Sequence, residues 1–134
     1  MDLKALKRQH EEILKLVKAI ESELEKEKLI NNAFAVSLKL GELSGKLLFH
    51  LNSEDQYLYP SLLNNGTAAV KKIAQTFMQE MGNITQEFNN YKAKYLSATK
   101  IKENPEEFIT KTRDIFKVLT KRIEKEEKEL YPKL

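Results

Sequence analysis

Apolar side chains recur at alternating spacings of three and four residues along most of this 134-residue chain. That alternation places them on one face of an α-helix, which is the pattern of a helix packed in a bundle. Breakers interrupt it at Asn31-Asn32, at the PSLLNNG stretch 60–66, and at Asn104-Pro105, where a capping asparagine precedes a proline. The pattern therefore predicts four long helices, over residues 2–29, 32–61, 67–99 and 105–131.

Four helices of this length with short connections are expected to form an all-α, up-down-up-down antiparallel four-helix bundle. The chain length is that of one domain, so residues 1–134 are predicted to form a single domain. There is no cysteine, which excludes disulfides and thiolate metal sites. No stretch approaches the roughly 18 uninterrupted apolar residues of a membrane span, and the start has no apolar signal region, so a cytoplasmic protein is expected.

The net charge of +3 does not by itself indicate a nucleic-acid or membrane partner. Lysines alternate with glutamates in ESELEKEK and EKEEKEL, and mixed runs of this kind usually coat a solvated helix face. No compact basic stripe with interleaved aromatic residues is visible. Neither nucleic acid nor a membrane is therefore predicted as a partner.

Polar residues interrupt the apolar face of three of the four predicted helices. At 1.5 Å per residue, counting outward from the predicted turns places all of these interruptions, and one methionine of the third helix, at one depth ~30 Å along the bundle. The sequence thus predicts a polar layer inside an apolar core. Its members are His10, His50, Glu54, Met81, Arg122 and Glu126.

An eleven-residue pattern occurs twice, as HLNSEDQYLYP from His50 and as RIEKEEKELYP from Arg122. Both copies have glutamate at the fifth position and end in Leu-Tyr-Pro. The repeat indicates that each half of the chain is a helix hairpin and that the two hairpins are arranged alike. The corresponding positions are His50 and Arg122, Glu54 and Glu126, and His10 and Met81.

Two carboxylates that face each other in a bundle interior require a positive partner, because desolvation and mutual repulsion both disfavour their charged forms. A shared proton, a metal ion or a basic side chain can meet that requirement. Two histidines at one depth, with Glu54 four residues after His50, favour a metal-ligand set. The alternative is a metal-free network in which Arg122 pairs with Glu126 and Glu54.

Several neighbours of the layer are interpreted as packing residues. Met81 is expected to fill space in the core. Tyr57 continues the inward face of the second helix, and it is expected to pack there or to donate a hydrogen bond to a site carboxylate. Tyr59 and Tyr131 are expected to flank the layer.

These motifs resemble the hemerythrin HHE cation-binding family, over about residues 3 to 132. The resemblance rests on His10 within QHEEI, on His50-x-x-x-Glu54 followed by Leu-Tyr-Pro, and on Glu126 followed by Leu-Tyr-Pro. Members of the family are four-helix bundles that hold a non-haem di-iron centre. The resemblance implies that His10 and His50 serve one iron and that Glu54 and Glu126 bridge the two irons.

Two positions depart from the family pattern, because Met81 and Arg122 stand where it has histidine. The second iron is expected to lose its main ligands. The resemblance therefore implies a reduced site with one iron ion rather than two, with manganese, zinc or no metal as alternatives. The implied role is the sensing, storage or handling of iron, dioxygen or another small redox-active ligand. A metal-free scaffold or interaction protein is the competing hypothesis.

No catalytic residue and no organic-cofactor site is predicted. The chain has no Gly-rich phosphate loop, no cysteine nucleophile and no His-Glu-x-x-His motif. The protein is expected not to be an enzyme, and the family resemblance leaves an iron enzyme as a third hypothesis.

Overall fold

A computed structural model describes residues 3–133, which are almost entirely helical and include no strand. Two π-helical turns, Glu54–Leu58 and Glu126–Leu130, follow the second and the last α-helix, and a short 3-10 turn, Tyr131–Lys133, comes last. The predicted all-α class is confirmed. The α-helices are α1 (Leu3–Glu21), α2 (Lys26–Ser53), α3 (Tyr59–Asn65), α4 (Ala68–Tyr95), α5 (Ala98–Glu103) and α6 (Pro105–Lys125).

The long helices pack side by side. Helix α1 packs along α2, α4 packs along α6, and α1 and α2 also contact α6. The short helices cover the long ones, α5 against α2 and α3 against α4. Within residues 3–133, no helix combines the length and the apolar composition needed to cross a membrane.

The core consists of two apolar clusters with the polar layer between them. On each of the four long helices, one layer position lies between a residue of the larger cluster and a residue of the smaller one. The larger cluster includes Ile13, Leu47, Phe88 and Leu119, and the smaller includes Leu6, Leu58, Phe77 and Leu130. The predicted inward faces of the first and fourth helices are buried from Leu6 to Leu24 and from Phe108 to Leu130.

The prediction of a turn at Asn31-Asn32 is wrong. The chain turns at residues 22–25, and α2 begins at Lys26 and runs through both asparagines. A kink marks the position instead, since Asn32 has φ −118° and ψ 18°. The Asn32 amide donates a hydrogen bond to the Glu23 carboxylate at 3.0 Å, so the asparagine fastens the kink to the turn before it. The polar layer forms although the turn from which it was counted lies elsewhere.

The prediction of a turn over residues 60–66 is also wrong for most of that stretch. Pro60 lies in the first turn of α3, where a helix does not need its missing N–H. The helix ends at Asn65 and is capped by Gly66, where any Cβ atom would collide with the carbonyl oxygen of Leu62. Glycine is therefore required at position 66, where α3 ends, and the residues before it continue the helix.

The third predicted helix ends earlier than expected, at Tyr95, and the short helix α5 follows it. The predicted start of the fourth helix is confirmed. Asn104 caps α6, because its side-chain oxygen accepts a hydrogen bond from the backbone N–H of Glu107 at 3.1 Å.

The prediction that Tyr57 faces inward is wrong, because the π-helical turn after α2 shifts the register. A π turn contains one residue more than an α turn, so the inward position passes to the next residue. Leu58 is 1% exposed, whereas Tyr57 is 56% exposed.

The register shift makes a testable prediction about two adjacent residues. Leu58→Ala should lower the free energy of unfolding by about 2–5 kcal/mol, because it leaves a cavity in the smaller cluster. Tyr57→Ala should change it by roughly 0.5 kcal/mol or less, as expected of an exposed position. Urea unfolding followed by circular dichroism measures both, and an equal loss in the two variants would contradict the shifted register.

Candidate metal centre

Two histidines from different helices meet in the polar layer. His10 on α1 and His50 on α2 are both buried, and their Nε2 atoms are 3.0 Å apart. The ring centroids are 4.5 Å apart. The sequence prediction that the two histidines share one depth is therefore confirmed.

The two predicted carboxylates lie beside this pair. Oε1 of Glu54 is 3.3 Å from Nε2 of His50, and Oε1 of Glu126 is 3.8 Å from Nε2 of His10. Both carboxylates are buried. His10, His50 and Glu126 each offer a ligand atom within 4.8 Å of the other two, and Glu54 adjoins this group through His50.

Each carboxylate opens a π-helical turn, Glu54 after α2 and Glu126 after α6. The two turns coincide with the same part of the eleven-residue repeat, EDQYL in one copy and EEKEL in the other. Single π turns interrupt α-helices mostly at functional sites. The repeat thus encodes a backbone feature as well as a side-chain pattern.

Gln9 orients one of the histidines, a contact that sequence reasoning missed. Its amide oxygen is 2.7 Å from Nδ1 of His50. An amide oxygen only accepts, so the proton of His50 lies on Nδ1 and its Nε2 presents a lone pair. Gln9 precedes His10 by one residue and is itself buried, but nothing in its spacing separates it from an ordinary surface glutamine.

Glu127 lies beside the other ring nitrogen of His10. Its Oε2 atom is 3.4 Å from Nδ1 of His10, but that nitrogen has no hydrogen-bond partner within the described residues. The hydrogen bond that the geometry supports joins the two Nε2 atoms, with His10 donating to the lone pair of His50 at 3.0 Å. A metal cation bound by both Nε2 atoms would replace that proton.

Tyr131, which the sequence analysis expected only to flank the layer, contacts two of the site residues. Its hydroxyl lies 3.1 Å from Nε2 of His10 and donates to Oε2 of Glu54 at 3.3 Å. Its ring stacks on His10 with a centroid distance of 5.3 Å. The inward tyrosine of the site is therefore Tyr131 rather than Tyr57, because the π turn directs Tyr57 to the surface.

Burial dominates the electrostatics of the site. Desolvation lowers the pKa of His10 to about 3, with the neighbouring His50 as a smaller cause. Desolvation likewise lowers the pKa of His50, against an opposing effect of Glu126. It raises the pKa of Glu54, and it raises the pKa of Glu126 well above its usual range, with the Glu54 carboxyl as the second cause. Burial therefore favours the neutral form of each of these four groups in the absence of a cation.

Arg122 reaches the carboxylates only in part. Its Nε atom lies 3.6 Å from Oε1 of Glu126, too far for a good hydrogen bond. The other guanidinium nitrogens donate elsewhere, to the Glu80 carboxylate at 3.1 Å, to the Phe77 carbonyl at 2.7 Å and to the Tyr59 hydroxyl at 3.2 Å. The guanidinium also lies 4.3 Å from the centre of the Phe77 ring.

Glu80 is thus the main ionic partner of Arg122, and it was not foreseen from the sequence. It sits on α4 next to Met81, is partly exposed, and also accepts from Lys125 at 3.0 Å. Its polar character and flanking position gave no sign of a role in the layer. The predicted network of Arg122 with Glu126 and Glu54 is present only as the loose contact with Glu126.

The donor atoms present fit a metal cation. Unpartnered buried polar atoms cluster here, and they include one oxygen of each carboxylate. With the Nε2 atoms of the two imidazoles they form a nitrogen and oxygen set of the kind that iron, manganese and zinc accept. Among the described residues, the buried atoms without a hydrogen-bond partner are Nδ1 of His10, Oε1 of Glu54, Nε of Arg122 and Oε2 of Glu126.

Comparison with known families and proteins complements this geometry. The model of the hemerythrin HHE cation binding domain matches residues 1–134. Neither the curated proteins nor the solved structures gave a match. The match spans the whole chain, and the cluster of His10, His50 and Glu126 that can hold a metal lies within it. The chain therefore belongs to the hemerythrin HHE cation-binding domain family.

Proposed function

We propose that this protein binds one non-haem iron ion through His10, His50, Glu54 and Glu126. The observation that carries the proposal is the 3.0 Å approach of two imidazole nitrogens beside two buried carboxylates. The two Nε2 atoms share one proton at this distance, and a cation that replaces it would be bound by both imidazoles and by the adjacent carboxylates. Iron is preferred over manganese and zinc because of the family, and the donor set suits all three.

The architecture that we propose around the ion is an up-down-up-down antiparallel bundle in a single domain. The supporting contacts are those of α1 with α2, of α4 with α6, and of both α1 and α2 with α6. In this arrangement the two copies of the eleven-residue repeat approach the layer from the same end. Each then contributes its π turn and its glutamate.

A single ion is proposed because the other half of the layer holds other groups. Met81 is buried, and its thioether is a poor ligand for a hard cation. Arg122 carries a permanent positive charge, which its contacts with Glu80, Phe77 and Tyr59 hold in place. A second cation there would meet that charge within a buried site, where electrostatic repulsion is weakly screened.

The surrounding residues support the function in distinct ways. Gln9 keeps the lone pair of His50 directed into the site, and Tyr131 donates to the Glu54 carboxylate. The two apolar clusters exclude bulk water from both sides of the layer. A bound iron ion supplies redox chemistry and an open coordination position for a small ligand such as dioxygen. We therefore propose sensing, storage or handling of iron or of a redox-active gas.

One observation favours a second candidate, a metal-free scaffold. Without a cation, the raised pKa of Glu126 lets the carboxyl pair hold a proton, and Arg122 lies 3.6 Å away. Such a protein needs no metal for stability. The buried carboxylate oxygens without a hydrogen-bond partner weigh against it.

Metal content and thermal unfolding distinguish the two candidates. Protein loaded with ferrous iron without oxygen and then desalted should retain about one ion per chain. A ligand at a hundredfold excess over its dissociation constant stabilises the fold by about 2.7 kcal/mol, so a chelator should lower the melting temperature. His50→Ala should abolish both effects.

The matched control for that loss is Thr112→Val. Thr112 is also buried and hydrogen-bonded, to Tyr91 at 2.6 Å, but Tyr91 belongs to the larger apolar cluster rather than to the polar layer. This variant should keep the metal. A wild-type protein that remains metal-free and unchanged by chelator would support the scaffold instead.

Metal binding should strengthen as the pH rises. The Glu126 carboxyl must lose its proton to bind a cation, and its pKa is raised well above its ordinary value of 4.5. His10, with a pKa lowered to about 3, does not compete for protons above that range. Each proton released makes the dissociation constant fall about tenfold per pH unit below the raised pKa.

Titration calorimetry with zinc in buffers of different ionisation enthalpy measures this proton release. Glu126→Gln should reduce the number of protons released, and Glu129→Gln, at an exposed position of the same π turn, should leave it unchanged. The stability of the metal-free protein should instead fall as the pH rises. A carboxyl with a raised folded pKa contributes stability below pH 4.5, and that contribution is lost as the pH rises through the folded pKa. Metal affinity that does not depend on pH would contradict this assignment.

Restoring histidine at the two departing positions should rebuild a second metal site. Met81→His with Arg122→His removes the fixed charge and adds two imidazole donors, so iron content should approach two per chain. An absorption band of an oxo-bridged pair should appear under air. Arg122→His alone should fall short of two, and unchanged stoichiometry in the double variant would show that these positions do not face the metal.

A further inference from the structure

Helix α2 has a second apolar face, on the side away from the core and from His50. Its four largest side chains, Phe34, Leu38, Leu48 and Phe49, are 69%, 59%, 67% and 64% exposed. Gly41 and Gly45 lie between them on the same face. We call these six residues the outer stripe.

The outer stripe has the spacing of a packed helix seam. Positions 34, 38, 41, 45 and 48 alternate by four and three residues, as in coiled coils. None of the six residues is charged, and the chain carries no charge from residue 29 to residue 38. Isolated exposed apolar residues are ordinary on a protein surface, but a continuous line of them marks an interaction site.

The area of the stripe suits a protein interface. A phenylalanine side chain buries roughly 150–250 Å², so the two exposed rings alone offer about 200–300 Å² of apolar surface. The two leucines and the adjacent Ile30, 43% exposed, extend it. A patch of this size is the apolar centre of a standard interface of about 800 Å² per partner, to which a polar rim contributes the rest.

The two glycines indicate what kind of surface docks there. Glycine in a helix interior is destabilising relative to alanine, so its presence calls for a reason. Within residues 3–133, a Cβ at Gly45 would meet no atom within 4 Å, and one at Gly41 would meet only Leu96 Cδ1 at an ordinary 3.8 Å. Packing inside the chain does not require either glycine. Close approach of another helix would require small residues at both positions.

We propose that the outer stripe docks a second copy of this chain, with the two α2 helices antiparallel across a two-fold axis. The stripe reads large, large, small, small, large, large from Phe34 to Phe49, which is nearly a palindrome. In an antiparallel pair centred near Gly41, Leu38 packs onto Gly45 of the second copy, and Phe34 meets Phe49. Such a self-complementary face is what a two-fold interface requires.

A parallel pair would fit poorly. It would place each glycine opposite the same glycine and each leucine opposite the same leucine, so no large side chain would fill the space beside a glycine. The antiparallel pair also places Leu48 against Ala35, a small exposed residue. This inference does not depend on the metal, since the outer stripe and the polar layer lie on different faces of α2.

Sedimentation equilibrium of the full chain, with and without iron, tests the proposal. The wild-type protein should be a dimer at micromolar concentration, and Phe49→Lys should make it monomeric without loss of helicity. Met78→Lys is the matched control, because Met78 is a 39%-exposed methionine on α4 outside the stripe, and this variant should stay dimeric. A monomeric wild-type protein, or a dimer unaffected by Phe49→Lys, would overturn the proposal, whatever the metal content.

Two glycine variants test the close approach. Gly45→Ala and Gly82→Ala both replace a glycine of a long helix whose Cβ would contact nothing within 4 Å in the described chain. Both should therefore raise the melting temperature of the monomeric Phe49→Lys background. In the wild-type background only Gly45→Ala should weaken dimerisation, by about tenfold or more. Equal dimerisation in the two variants would overturn the helix-to-helix contact.

Engineered cysteines test the antiparallel direction, since the natural chain has none. A disulfide needs Cα atoms about 4.4–6.8 Å apart. Gly41→Cys, close to the axis, should cross-link to itself. Phe34→Cys should not cross-link to itself but should do so with Phe49→Cys in a mixed sample. Self-cross-linking of Phe34→Cys would overturn the antiparallel arrangement.

Discussion

The burial of two carboxylates opposite two imidazoles is the constraint on which the rest of the structure depends. Both pairs are almost completely withdrawn from water, between the two apolar clusters of the core. Desolvation acts on the two kinds of group in opposite directions, because it lowers the pKa of each imidazole and raises the pKa of each carboxyl. A cation that replaced the protons would be bound by imidazole nitrogen and carboxylate oxygen alike.

The chain divides this layer into two unlike halves. On the α1 and α2 side His10, His50 and Glu54 converge, and Nδ1 of His10 and Oε1 of Glu54 have no hydrogen-bond partner within the described residues. On the α4 and α6 side Arg122 replaces a donor with a charge, and Glu80 balances that charge from the edge of the bundle. The duplicated motif thus retains its backbone geometry, including both π turns, while its two copies differ in chemistry. Arg122 forms hydrogen bonds with its other neighbours but only a loose contact with Glu126. The two carboxyl groups therefore still lack a close positive partner.

The part of this arrangement that could be predicted is the part that follows from helical periodicity. Spacing by three and four residues identified the inward faces of α1 and α6 and the common depth of His10 and His50, because burial of an apolar face depends on little else. The prediction for Tyr57 was wrong because the π turn at Glu54 adds a residue, which spacing rules do not reveal. The turn predicted at Asn31-Asn32 was wrong because Asn32 forms a kink and donates a hydrogen bond to Glu23 instead of ending the helix. The roles of Gln9 and Glu80 could not be predicted because they depend on partners from other helices.

Helix α2 is used on two faces, and that explains its unusual composition. One face supplies His50 and Glu54 to the polar layer, and the other supplies the outer stripe, so the helix has few positions left for the charged residues that cover α1 and α6. Phe49 precedes His50 directly, which joins the two faces through a single peptide unit. If a second copy packs on the outer stripe as proposed, α2 is held on both faces and its backbone is fixed where His50 faces the polar layer. Fixed side-chain placement of that kind is what a preorganised metal site requires.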